Sequence, residues 1–208
     1  DLVFNPEYTS KLKSCGIAYL DSPTEILPVA LLYLGKNPYS EDKADIQLAQ
    51  ELLLKVRKDI RLFSSTMIDD IAAGKACVVI GWSGDINMAA ARAKENKSKD
   101  VIQSLLPSTG ALMWFDTMAV LSDSKHPQNA MTFINWYLRP ENAARISNEM
   151  SYNTGNKAAL SLISPEISGN KTIFVDEQYA PKLAPPEKLT NQARELMSSA
   201  YTSFKKGK

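Results

Sequence analysis

Twice in its first hundred residues the chain passes directly from a short apolar run into a helix, and this unit restricts the fold more than any other feature. Ile17-Ala18-Tyr19-Leu20 reads as a strand, and Asp21-Ser22-Pro23-Thr24-Glu25 opens a helix that runs to Gly35, with Pro23 suited to the first helical position. Cys77-Val78-Val79-Ile80-Gly81-Trp82 is a continuous apolar run, as expected of a central parallel strand buried on both faces. Ser83-Gly84-Asp85 leads from it into a helix from Ile86 to about Lys94. Between the two units, residues 43–57 carry Ile46, Ala49, Leu52, Leu53 and Val56 at helical spacing, and residues 67–73 predict a short helix stopped by Gly74. Alternating strands and helices place the chain in the α/β class with a mostly parallel sheet.

The organisation changes after the lysine-rich stretch 94–99. Residues 101–106 and 112–121 read as strands around a Pro-Ser-Thr-Gly turn. Residues 128–138 predict a helix containing Met131, Phe133, Ile134, Trp136 and Tyr137, and Arg139-Pro140 breaks it before a second short helix over 142–146. The stretch 161–188, with Pro165, Pro181, Pro185 and Pro186, reads as a loop-rich return, and 189–204 as a last helix. Crossings near residues 97 and 160 divide the chain into two lobes, one from 1–97 and 161–208, the other from 98–160.

Composition excludes several classes of partner. The 24 basic residues are balanced by 23 acidic ones, so no chain-wide field favours nucleic acid or anionic lipid. No apolar run approaches the roughly 18 residues of a membrane span. The start, Asp1-Leu2-Val3-Phe4, has neither an initiator methionine nor a signal-peptide pattern, and reads as the start of a processed or cut chain. The two cysteines, Cys15 and Cys77, are in neither zinc-type pairs nor a CxxC motif; a structural disulfide and two buried thiols both fit. With the single histidine, His126, in a polar Ser-Lys-His-Pro loop, no transition-metal spacing exists, and neither a metal nor a cofactor is expected.

In open α/β sheets, ligands bind beyond the carboxyl ends of strands, where Glu25 and Asp85 both lie. Each has a second reading: Ser22-Pro-Thr-Glu25 fits a capping box, and Asp85 fits a helix N-cap. Two carboxylates at helix starts favour a cationic ligand, because a helix N-terminus alone favours anions. In Met113-Trp114-Phe115-Asp116-Thr117, strand periodicity puts Trp114 and Asp116 on one face, either a ligand face or an ordinary solvated one. Trp82 stands three residues before Asp85, as a packed core ring or a ligand wall, and Tyr152 follows a helix in the polar loop Ser151-Tyr152-Asn153-Thr154-Gly155. Carboxylates with aromatic walls suit ammonium groups separated by methylenes. Paired carboxylates such as Glu25 and Asp116 also leave a hydrolase open, whereas Gly81-Trp82-Ser83-Gly84-Asp85 misses the GxSxG nucleophile elbow by one position.

Four segments carry a more specific likeness: Ser14-Cys15-Gly16-Ile17-Ala18-Tyr19-Leu20-Asp21-Ser22-Pro23-Thr24-Glu25, Leu32-Tyr33-Leu34-Gly35-Lys36-Asn37-Pro38, Val79-Ile80-Gly81-Trp82-Ser83-Gly84-Asp85 and Phe133-Ile134-Asn135-Trp136-Tyr137-Leu138-Arg139-Pro140. In this order the chain resembles the putrescine/spermidine-binding family of ABC-importer receptors. That resemblance implies a periplasmic-binding-protein-like fold of type II with two lobes, most of the N-terminal lobe missing, and a non-enzymatic periplasmic receptor. Its partners would be a polyamine and the membrane permease of an ABC importer. By resemblance, Glu25, Trp82, Asp85, Trp114, Asp116 and Tyr152 match polyamine contacts, and Cys15 and Cys77 match a disulfide pair of putrescine-type members. Trp114 stands where putrescine-type receptors often have Phe, and Trp there is familiar from spermidine-preferring members. A receptor for another cationic or small polar solute is the alternative on the same scaffold. An incomplete lobe implies that 98–160 exposes strand edges and apolar surface, with oligomerisation or segment exchange as the response.

Overall fold

The computed structural model describes residues 1–208. After a short helix α1 (Pro6–Leu12), strand β1 (Ile17–Leu20) leads into α2 (Pro23–Tyr33) and α3 (Lys43–Val56). Strand β2 (Ile60–Ser64), α4 (Met67–Ala72), β3 (Val78–Ile80) and α5 (Ser83–Glu95) complete the first half. The three strands form one parallel sheet in the order β2-β1-β3. All four residues of β1 are buried, as required of a strand with neighbours on both edges and helices over both faces.

The centre is therefore β1, and β3 lies at an edge with its residues half-buried; an apolar run reports burial on two faces but not the number of hydrogen-bonded neighbours. The sequence reading missed β2 and α1. Strand β2 follows α3 through one tight turn, Arg57–Asp59, without a Gly or Pro signal, and its apolar residues are interrupted by Arg61. Helix α1 is short, capped by the Asn5 side chain accepting from Glu7 N, with Pro6 in its first turn.

Helices α2 and α3 pack with each other and with the C-terminal helix, α9 in chain order (Asn191–Lys206), against the sheet, while α4 pairs with α5. The core there is aromatic: Tyr19 of β1 and Phe63 of β2 meet Phe204 and Tyr201, and the Tyr201 hydroxyl donates to Leu20 O at 2.6 Å. At the opposite end of the strands Cys15 and Cys77 form a disulfide with Cα atoms 5.6 Å apart. Beside it the Arg61 guanidinium donates to the carbonyls of Cys15, Ser14 and Lys75. Gly16, at φ 102°, has no room for a Cβ, which would stand 2.7 Å from Lys75 O.

Beyond α5 the structure departs from the strands expected at 101–106 and 112–121. Residues 101–106 form no strand, and only β4 (Ala111–Leu112) does in the second stretch, paired in parallel with β5 (Leu183–Ala184). Met113 N donates to Ala184 O at 2.8 Å and pairing ends there. An apolar run becomes a strand only where a partner strand offers its hydrogen bonds. Helices α6 (Pro127–Tyr137), α7 (Pro140–Met150) and α8 (Pro165–Ser168) occupy the stretch between β4 and β5; α7 is longer than expected because Pro140 starts it rather than preceding it. A second small core joins Ala143, Ala144, Ala159 and Ile163, with Ile167 and Phe174 against it. Helix α6 buries no residue at all. Val101 is 95% exposed, and Leu105, Phe115, Leu121, Phe133, Trp136 and Leu138 are exposed with it.

Candidate functional site

The carboxyl ends of β1 and β3 open onto a broad groove of about 2120 Å³ whose lining includes Glu25, Trp82, Trp114, Asp116 and Tyr152. Two strand-to-helix turns supply its floor, so the parallel sheet itself places Glu25 and the Trp82–Asp85 turn at one edge.

Glu25 stands in the first turn of α2. The capping box is not formed there, because the Ser22 side chain caps no helix N–H and instead meets the Thr24 hydroxyl at 3.3 Å. The Glu25 side chain is half-buried. Burial pushes its carboxyl above the ordinary range, while a hydrogen bond from the Trp82 side chain pulls the other way. Tyr39 lies within the influence of Glu25: burial first, then Glu25 and Glu187, push its phenol up.

Asp85 is not an N-cap. Trp82 holds that position, which makes Asp85 the third residue of α5, with its side chain accepting a hydrogen bond from the Tyr152 hydroxyl at 2.9 Å. Tyr152 arrives from the far side of the groove, two residues past the end of α7 and just after Ser151, which adopts a left-handed conformation at φ 56°. The Tyr152 phenol is held above its ordinary range by burial, then by the hydrogen bond and charge of Asp85, with a further contribution from the charge of Asp116. Trp114 closes edge-on against Tyr152, ring centroids 5.4 Å apart, and is 39% exposed.

Trp114 and Asp116 are not held by strand alternation, since pairing ends at Met113; they sit in extended coil, and Asp116 is exposed. Five of the six candidates nevertheless line one groove, and Asp85 joins them through the Tyr152 hydroxyl. Glu25 and Trp82 meet at one place, and Asp85, Tyr152, Trp114 and Asp116 gather at another. The sequence reading missed two residues that shape this second cluster. Gly84 lies beneath the Tyr152 ring, where an added Cβ would stand 2.2 Å from a ring carbon. Ser147 donates its hydroxyl to Tyr152 O. A glycine in the first turn of a helix was a visible signal for the first; nothing local marks Ser147.

Such a site offers negative charge, phenol oxygens and ring faces. A cation with an apolar body would be complementary to these groups: cation–π contacts contribute about 0.5 to 2 kcal/mol each, and each buried methylene adds about 0.8 kcal/mol.

Residues 6–175 match the family of bacterial extracellular solute-binding proteins. The whole chain is similar to the putrescine-binding periplasmic protein SpuD of Pseudomonas aeruginosa, at 40% identity, and to the putrescine-binding periplasmic protein PotF of Escherichia coli, at 41%. In both cases it spans 57% of the relative's length. A solved chain of Listeria monocytogenes, assigned to a spermidine/putrescine ABC transporter, superposes with a TM-score of 0.82 at 27% identity, over 98% of this chain and 60% of that one.

Proposed function

Since the chain belongs to the bacterial extracellular solute-binding proteins, we propose that it is the larger part of a periplasmic receptor that captures a polyamine, putrescine or spermidine, and delivers it unaltered to the membrane permease of an ABC importer. The observation that carries this reading is the convergence of Asp85, Tyr152, Trp114 and Asp116 at one end of the groove, with Glu25 and Trp82 also on its wall. The carboxylates take ammonium groups and the rings strip water from the methylene chain. No bond is made or broken, so the protein is a carrier and not an enzyme. The similarity to two putrescine-binding periplasmic proteins supports both ligand and compartment. In this reading residues 1–97 with 161–208 form one lobe and 98–160 belong to the other, although Ile163, Ile167, Phe174 and β5 pack against the second lobe. A thermal-shift screen of amines, amino acids and sugars tests it: polyamines should raise the melting temperature, and a response confined to sugars or neutral amino acids would reject it.

Two further expectations follow from the wall residues. Trp114→Phe should cost less affinity than loss of a buried carboxylate and shift preference toward the shorter diamine, since a smaller ring shortens the apolar wall while leaving every charge in place. Calorimetry with putrescine and spermidine measures the ratio. Glu25→Gln should raise the melting temperature at neutral pH. A carboxyl raised on folding contributes stability that is fully present below its unfolded value and lost as pH rises through the folded one, so charged Glu25 opposes folding at neutrality. The difference between Glu25→Gln and the parent should vanish on acidification below the ordinary carboxylate range; a neutral-pH melting temperature below that of the parent would contradict it.

The exposed apolar residues, Val101, Leu105, Phe115, Leu121, Phe133, Trp136 and Leu138, should drive self-association or segment exchange of the chain. Light scattering should report species larger than a monomer, and a clean monomer over a wide concentration range would count against this.

A further inference from the structure

We propose that Gly84 and Ser147 are positioning residues that hold the Tyr152 ring and hydroxyl on the Asp85 carboxylate. The inference takes the cation-binding reading of this end of the groove one step further, to the residues that shape it. Tyr152 is a loop residue between a helix end and Asn153, and a half-exposed tyrosine there would otherwise sample several rotamers.

Two contacts remove that freedom from opposite sides. Gly84 is buried in the first turn of α5, and a Cβ at that position would lie 2.2, 2.3 and 2.5 Å from three atoms of the Tyr152 ring. Glycine is a poorer helix former than alanine, and the close ring contact supplies the reason for it here. Ser147, 2% exposed, lies in the last turns of α7. Its carbonyl accepts from Ser151 N at 3.0 Å and its hydroxyl donates to Tyr152 O. Those two bonds support the left-handed turn at Ser151, a conformation that is costly for a residue with a Cβ. The turn aims Tyr152 back across the groove to Asp85, 67 residues earlier in the chain. Gly84 sets how closely the ring can approach α5, and Ser147 sets where the loop releases it.

Gly84→Ala and Ser147→Ala test this with the phenol of Tyr152 as reporter, followed by carbon NMR of ring-labelled tyrosine. In the parent, Tyr152 should titrate well above the ordinary phenol value of about 10; in the variants it should titrate closer to that value. Putrescine affinity should fall about three- to tenfold in each variant, as for loss of one net hydrogen bond, and should not fall further when either change is added to Tyr152→Ala, which removes the ring that both residues position. An unmoved Tyr152 titration in folded variants, or fully additive losses, would overturn the proposal. If both variants unfold, Tyr152→Ala on the Gly84→Ala background removes the ring that the new methyl meets and should restore folding; failure to do so would also overturn it. A parent that does not bind putrescine would reject the receptor reading alone, because the titration needs no ligand.

Discussion

Asp85→Asn should weaken putrescine binding roughly thirtyfold to several thousandfold, the equivalent of about 2 to 5 kcal/mol for removing one partner of a buried, hydrogen-bonded charge pair. The substitution preserves shape. An Asn oxygen can still accept from the Tyr152 hydroxyl, so the 2.9 Å contact that ties α5 to the loop after α7 need not break. What disappears is the charge that would face a ligand ammonium. Asp116 provides the internal control: it is exposed and lies in coil past the end of β4, so water screens it and its loss should cost less than that of Asp85. Calorimetric titration of the two variants ranks them, and equal affinity of Asp85→Asn and the parent would remove Asp85 from the site.

Replacing Cys15 and Cys77 together by alanine should lower stability by about 4 kcal/mol, the chain-entropy value for a loop of this length. The bridge spans 62 residues of sequence and includes all of β1, α2, α3, β2 and α4. It ties together the entries of β1 and β3, where Cys77 N donates to Gly16 O at 2.9 Å, so the unfolded chain loses much freedom while the folded sheet is already paired there. For a chain of this size the melting temperature should fall by roughly 10 °C. Glu25, Trp82 and Asp85 follow the carboxyl ends of the same strands, away from the bridge, so affinity for putrescine should change far less than stability. Intact mass with and without reduction establishes the bridge; two freely alkylated thiols in the unreduced protein would contradict it.

Where strand and helix signals lay side by side, the fold was legible. Pro23 after Leu20, and Ser83-Gly84 after Trp82, marked two turns of the sheet edge correctly, and with them Glu25 and Trp82. Strand β2 was hidden because Arg61 breaks its apolar run; that arginine, exposed, donates to carbonyls beside the disulfide. The stretch 101–121 failed in the opposite sense: its apolar residues match strands, yet only Ala111–Leu112 finds a neighbour, in β5 some 70 residues later. Pairing over such a distance leaves no local trace. The candidate site was legible as a set of residue types. Its assembly was not, since the Tyr152–Asp85 bond depends on the left-handed turn at Ser151, which no glycine announces.

Calorimetric titration of the protein with putrescine, butylamine and butanediol addresses the groove's chemistry most directly. A site with carboxylates for two ammonium groups and rings for the chain between them should bind putrescine with a saturable heat, bind butylamine much more weakly, and give no measurable heat with butanediol. Equal affinity for putrescine and butanediol, or no binding of putrescine at all, would contradict it.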